Sequence, residues 1–161
     1  MDEYYITRTE IDILQQNSRE IATIIGGKCL LIEYGSGGIE KVYHLIDALQ
    51  SPTDYIPIDI AKEHLFNYAE LTSSKYSGLD IIAVVADYTQ ELKLPDEKLL
   101  NDKDIKNKVI LFAGSTIGNL VYSEAVTLLK YSIFYLIPNL PKFSFLLTPI
   151  RAISVCHAPQ T

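Results

Sequence analysis

An α/β fold, a mostly parallel sheet with flanking helices, is predicted by three features of the 161-residue chain. Short, wholly apolar runs alternate with segments whose apolar residues recur at helical spacing. The runs lack the apolar–polar alternation of half-exposed strands, as expected of strands buried on both faces of a parallel sheet. Each run also ends in polar or glycine-rich residues, at the strand ends where open parallel sheets bind ligands. A hydrophobic content of 48% suffices for one core, so a single domain over residues 1–161 is expected.

The elements follow in order along the chain. Ile11, Leu14, Ile21, Ile24 and Ile25 recur at spacings of three, four and seven, which predicts a helix from Glu10 to Ile25 capped by Thr9 and stopped by Gly26-Gly27. Cys29-Leu30-Leu31-Ile32 is the first strand, feeding the turn Glu33-Tyr34-Gly35-Ser36-Gly37-Gly38. Ile39 to Leu49 returns to helical spacing through Val42, Leu45, Ile46 and Leu49. Asp54 to Asp59 is a second strand, in which Pro57 points to a sheet edge or a strand end. A helix from Ala61 to about Leu71, a third strand from Leu79 to Ala86 and a fourth from Lys108 to Ala113 continue the pattern. Val121 to Tyr135 is the next helix, and Phe143 to Leu147 a fifth apolar run.

Composition excludes several classes of function. Fourteen basic against twenty acidic side chains leave a formal charge of −6, which opposes a non-specific grip on phosphate backbones, so nucleic acid is not an expected partner. The two cysteines, Cys29 and Cys156, stand far apart with no CxxC and no histidine cluster, so neither a disulfide framework nor a metal site is implied. No run is long and apolar enough to cross a bilayer, and the N-terminus is polar, so no membrane partner is expected and the cytoplasm is the expected location.

Four strand-end segments carry the chemistry: Glu33 to Gly38, Asp59, Asp87-Tyr88 and Gly114 to Asn119. Gly35, Gly37 and Gly38 give the backbone the freedom that a sharp strand-to-helix turn and a close ligand require. A dinucleotide fingerprint would place a further glycine at position 40, where this chain has Glu40, so a ligand without a pyrophosphate fits better than a nicotinamide cofactor. Asp59 can accept hydrogen bonds from both hydroxyls of a ribose. Asp87 can accept from an exocyclic amine, and the Tyr88 ring offers a surface for a purine. Taken singly, the glycines also suit a tight turn and Asp59 and Asn119 suit helix caps. Their occurrence at successive strand ends describes a nucleoside pocket.

These residues resemble the class I S-adenosylmethionine-dependent methyltransferases, a Rossmann-like fold. More narrowly, Tyr4-Tyr5-Ile6-Thr7-Arg8-Thr9-Glu10, the glycine turn followed by Glu40-Lys41, Tyr55-Ile56-Pro57-Ile58-Asp59-Ile60 and Gly114-Ser115-Thr116-Ile117-Gly118-Asn119-Leu120 look like the histidine-specific methyltransferases of ergothioneine biosynthesis. The resemblance implies that Gly35, Lys41, Asp59, Asp87 and Tyr88 contact S-adenosylmethionine. It implies that Tyr4, Gly114 and Asn119 contact an amino acid substrate, histidine or a similar molecule. No side chain is singled out as a catalytic acid or base, and His44, His64 and His157 are read as structural or solvated. Family members carry a segment before the Tyr4-Tyr5 block and a C-terminal half that completes the substrate pocket. The C-terminal part is therefore expected to be incomplete, the tail after about Ser132 to reflect a truncated or frameshifted gene, and an apolar sheet edge to be exposed, with dimerisation or aggregation as its consequence. A non-catalytic S-adenosylmethionine-binding remnant or regulatory subunit is the alternative reading.

Overall fold

The computed structural model describes residues 3–90, 92, 105–113, 116–133, 143–147 and 154–157, with the backbone alone at 3–7, 39–40, 143–147 and 154–157. The described elements are α1 (Glu3–Ile25), β1 (Cys29–Tyr34), α2 (Ile39–Ala48), β2 (Asp54–Asp59), α3 (Lys62–Lys75), β3 (Asp80–Ile81), β4 (Val84–Val85), β5 (Asn107–Phe112), α4 (Tyr122–Tyr131), β6 (Phe143–Leu147) and β7 (Ser154–His157). One sheet runs in the order β3-β2-β1-β5-β6-β7, with β4 also on β2. All pairings are parallel except that of β6 with β7.

β1 occupies the middle of this order and all six of its residues are buried. Its side chains alternate between two cores: Cys29 and Leu31 join α1, α2 and α3 on one face, whereas Leu30, Ile32 and Tyr34 join Leu92, Ile105 and Leu128 of α4 on the other. This is the pattern the apolar run Cys29–Ile32 requires, because either face left in water would waste its burial. On the second face Tyr34 stacks on Phe112 at 5.1 Å between ring centroids, and its hydroxyl shares a 3.1 Å hydrogen bond with Ser132 Oγ.

Three expectations from the sequence are corrected. The first helix begins at Glu3 rather than Glu10, so Thr9 is an interior residue and not a cap; no proline or glycine interrupts Glu3 to Thr9, and nothing local stops the helix there. Its buried stripe is Leu14, Ser18, Ile21, Ala22 and Ile25, which leaves Ile24 exposed. Its C-terminal stop is at the expected place, where Gly26 adopts φ +81° and donates its N–H to Ala22 O at 2.9 Å.

β2 is not an edge strand, because β3 and β4 lie outside it, and the third strand is broken in two. Pro57 explains the break. The carbonyls of Thr53, Tyr55 and Asp59 accept hydrogen bonds from Asp80, Ile82 and Ala86, so alternate residues of β2 face the outer strand. Pro57 falls on that face and has no N–H to donate, and the ladder lapses between Ile81 and Val84. Beyond β6, β7 pairs antiparallel from Ser144↔His157 to Leu147↔Ser154 and is the last strand of the order. No described helix is long and apolar enough to cross a membrane.

Candidate functional site

The parallel strands present their carboxyl ends at one rim, and β1 reaches it with the sharpest change of direction. Gly35 adopts φ +74° and donates its N–H to Ile58 O at 2.9 Å, which ties the turn to β2. A Cβ on Gly35 would stand 2.6 Å from Thr116 Oγ1, so glycine is required there by the protein's own packing. Gly37 differs. A Cβ added there meets nothing nearer than Gly35 O at 4.0 Å, so packing imposes no demand for glycine.

A cavity of about 220 Å³ opens at this turn, lined by Glu33, Gly35, Gly37, Gly38, Lys41, Ala113 and Thr116. Of the sequence-predicted residues, Gly35 and Lys41 line it. Lys41 lies in the first turn of α2, and its Nζ donates to Glu10 Oε2 of α1 at 2.5 Å. The Ser36 hydroxyl, in the middle of the glycine turn, is buried and has no hydrogen-bond partner among the described residues.

Glu33 opens one of the segments singled out in the sequence, where it received no role of its own. It is 1% exposed at the end of β1, and it accepts hydrogen bonds at Oε2 from the Tyr55 hydroxyl and, at 3.5 Å, from the Tyr68 hydroxyl; the two tyrosines also share a 2.6 Å bond. Burial pushes its carboxyl up to about 7, against the opposing pull of the Tyr55 hydrogen bond, the Lys41 charge and Tyr68, while the Asp59 charge pushes it further up. Burial and the Glu33 charge raise both tyrosine hydroxyls, so they stay protonated donors. An acidic residue just before a glycine turn was visible in the sequence; that two tyrosines from β2 and α3 would converge on it was not.

Asp59 ends β2, half-buried, with Oδ1 accepting the Ala61 N–H at 2.9 Å as α3 begins. Asp87 is exposed; the Thr89 hydroxyl and N–H, at 2.7 and 2.9 Å from its Oδ1, lower its pKa. Tyr88 is half-buried, edge-on to Tyr34 at 5.8 Å between centroids. Its hydroxyl is raised first by burial and then by the Asp59 and Asp87 charges. Glu33 lines the cavity, and its carboxyl responds to the charges of both Lys41 and Asp59. Asp59, Asp87 and Tyr88 do not line the cavity itself.

The predicted substrate residues are less closely gathered. Asn119 is exposed at the end of a 3₁₀ turn, Thr116–Asn119, whose first residue lines the cavity. It does not cap α4: Val121 precedes that helix and donates its N–H to Glu124 Oε2 at 3.1 Å. Tyr4 lies in the first turn of α1, and its side chain, like Gly114, falls outside the described residues. No group of three or more metal-ligating side chains occurs among the described residues. His44 sits half-buried in α2 and His64 exposed in α3.

A parallel sheet with a glycine turn and acidic residues at its carboxyl rim defines a Rossmann-like nucleotide-type binding fold. The chain belongs to the family described as "Histidine-specific methyltransferase, SAM-dependent", whose model matches residues 1–137. It is 36% identical over 124 residues to the histidine N-alpha-methyltransferase of Mycolicibacterium smegmatis, covering 74% of this chain and 36% of that one. It is 35% identical over 144 residues to ergothioneine biosynthesis protein 1 of Neurospora crassa, covering 86% of this chain and 16% of that protein. The 4-dimethylallyltryptophan N-methyltransferase of Claviceps purpurea is 28% identical over 132 residues, 80% of this chain and 38% of its own length. The chain thus spans well under half the length of these relatives. Among solved structures, a SAM-dependent methyltransferase from Aquifex aeolicus matches with a TM-score of 0.53 at 15% identity, covering 91% of this chain and 72% of that one, which establishes the shared class I fold.

Proposed function

We propose that this chain binds S-adenosylmethionine at the β1 rim and forms the cofactor-binding part of an α-N-methyltransferase whose acceptor is an amino acid, histidine in the first instance. The observation that carries the reading is the cavity at the end of β1, lined by Glu33, Gly35 and Lys41, with Asp59 ending the adjacent β2 and Asp87-Tyr88 following β4 beyond it. Gly37 supports it: a glycine with no internal packing reason, on the wall of a cavity, suits a ligand that approaches the backbone closely. The Ser36 hydroxyl is a further donor without a partner among the described residues.

The cavity of about 220 Å³ is below the roughly 300 Å³ at which pockets that engulf a drug-sized ligand begin. It would therefore hold one end of the cofactor, and Asp59, Asp87 and Tyr88, outside the cavity, would be the residues to hold its nucleoside. Asp59 retains Oδ2 for a ribose hydroxyl, since its helix-start bond uses Oδ1. The cofactor supplies a sulfonium methyl group. With the cofactor bound, a neutral α-amine would take that methyl, the N–C bond forming as the C–S bond breaks, with the electron pair left on sulfur and the amine's proton lost to solvent. Alignment carries such a displacement, so no strong base is needed. The names of the relatives, which specify a histidine or a prenylated tryptophan acceptor, both denote N-methylation of an amino acid, and the higher identity favours histidine.

Radiolabelled methyl transfer from S-adenosylmethionine to histidine tests the activity, with N-methylated histidine as the expected product. Cofactor binding without any transfer would restrict the chain to a binding component. Asp59→Asn tests the site: it preserves an acceptor for Ala61 but loses the second one, and a roughly tenfold weaker cofactor affinity is expected. Unchanged affinity would remove Asp59 from the site.

A further inference from the structure

We propose that Glu10 is a positioning residue for the cofactor pocket: its ion pair fixes the Lys41 ammonium on the cavity wall and so makes α1 a working part of the site. The inference rests on the cavity being the S-adenosylmethionine site.

Three observations carry it. Glu10 is 0% exposed, an unusual place for a carboxylate, and its Oε2 lies 2.5 Å from Lys41 Nζ. A buried carboxylate is tolerated only when paired, so the α1 sequence commits a costly charge to this contact. Second, Lys41 occupies the first turn of α2, where the helix dipole disfavours a cation. The helix does not hold the ammonium there; Glu10, 31 residues earlier, does. Third, Lys41 is the cavity's cationic wall residue, and its side chain is 12% exposed. A lysine has four rotatable side-chain bonds, and an unanchored ammonium would spend its time in solvent or turn toward Glu33, whose ionisation already responds to the Lys41 charge. Glu10 holds it on the α1 side, leaving the cavity open between the lysine and Glu33.

The sequence separation explains why this pairing escapes a local reading. Glu10 closes the Thr7-Arg8-Thr9-Glu10 block, and in the structure it joins α1 to Lys41 in the first turn of α2, just past the glycine turn.

Isothermal titration of the full chain with S-adenosylhomocysteine tests the proposal through a double-mutant cycle. Glu10→Gln keeps size and a hydrogen-bond acceptor but removes the charge, and it is expected to weaken binding roughly tenfold. Lys41→Met is expected to weaken it at least as much, and Glu10→Gln is expected to add less than twofold in the Lys41→Met background. Glu10→Asp, which withdraws the charge by one methylene, is expected to fall between wild type and Glu10→Gln. An unchanged affinity for Glu10→Gln beside a weakened Lys41→Met would overturn the proposal and leave the cofactor site standing. Equal losses from Glu10→Gln in both backgrounds would also overturn it, because the residue would then act through helix packing alone. Unchanged affinity for Lys41→Met, or no binding by the wild type, would instead defeat the cofactor reading of this wall and the proposal with it.

Discussion

Glu33 makes the stability of this protein depend on pH in a direction opposite to that of most carboxylates. Its folded pKa is raised from 4.5 to about 7, with burial the largest cause. A carboxyl raised in this way binds its proton more tightly in the folded chain than in the unfolded one. Its contribution is therefore most favourable below pH 4.5, declines as pH rises, and reaches its full cost above about pH 7. The interval between the two pKa values corresponds to about 3 kcal/mol. Glu33→Gln removes the ionisation while keeping an acceptor for the Tyr55 and Tyr68 hydroxyls. The variant is expected to gain about 3 kcal/mol on the wild type between pH 4.5 and pH 8, a difference of roughly 6–12 °C in relative Tm for a chain of this size. Urea unfolding followed by far-ultraviolet circular dichroism at half-unit pH intervals reads this directly. Parallel profiles for the two proteins, or a variant that loses ground as pH rises, would refute the reasoning about burial.

Gly35→Ala places a Cβ 2.6 Å from Thr116 Oγ1 on a backbone with φ +74° and is expected to cost about 2–4 kcal/mol in urea unfolding. In a Thr116→Ala background the same change is expected to cost about half as much, and an undiminished cost would show that the clash is not the cause. Tyr34→Phe keeps the stack on Phe112, and Ser132 retains its 2.8 Å bond to Leu128 O, so a loss of only about 1 kcal/mol is expected. A loss above 3 kcal/mol would mean that the hydroxyl serves more than this one bond. Burial pushes the Cys29 thiol up to about 12, so in a Cys156→Ser variant the remaining thiol is expected to react with a disulfide reagent only as fast as the protein unfolds. Rapid labelling of the native protein would contradict its burial in β1.

The sequence carried the fold where the signal is local. β1, α2 and β6 stand where continuous apolar runs or helical spacing put them, and Gly26 ends α1 by its left-handed backbone. The parts not legible depend on distant partners. Pro57 marked a disturbance in the ladder, but only the register shows that its missing N–H faces the outer strand and splits it. β7 is four residues long and draws its identity from antiparallel pairing with β6, not from any periodicity of its own. At the site, Gly35 and Lys41 were legible as residue types at a strand end, whereas Glu33 and Glu10 matter through partners 22 and 31 residues away. A lone carboxylate in a sequence gives no sign of whether it will be buried, and burial is what gives both of these their effect.

The most direct test of the account is calorimetric titration of the folded chain with S-adenosylhomocysteine beside NAD. Saturable one-to-one binding of S-adenosylhomocysteine, weakened by Asp59→Asn and with no heat from NAD, is the predicted result. No binding of S-adenosylhomocysteine, or tighter binding of NAD, would contradict it.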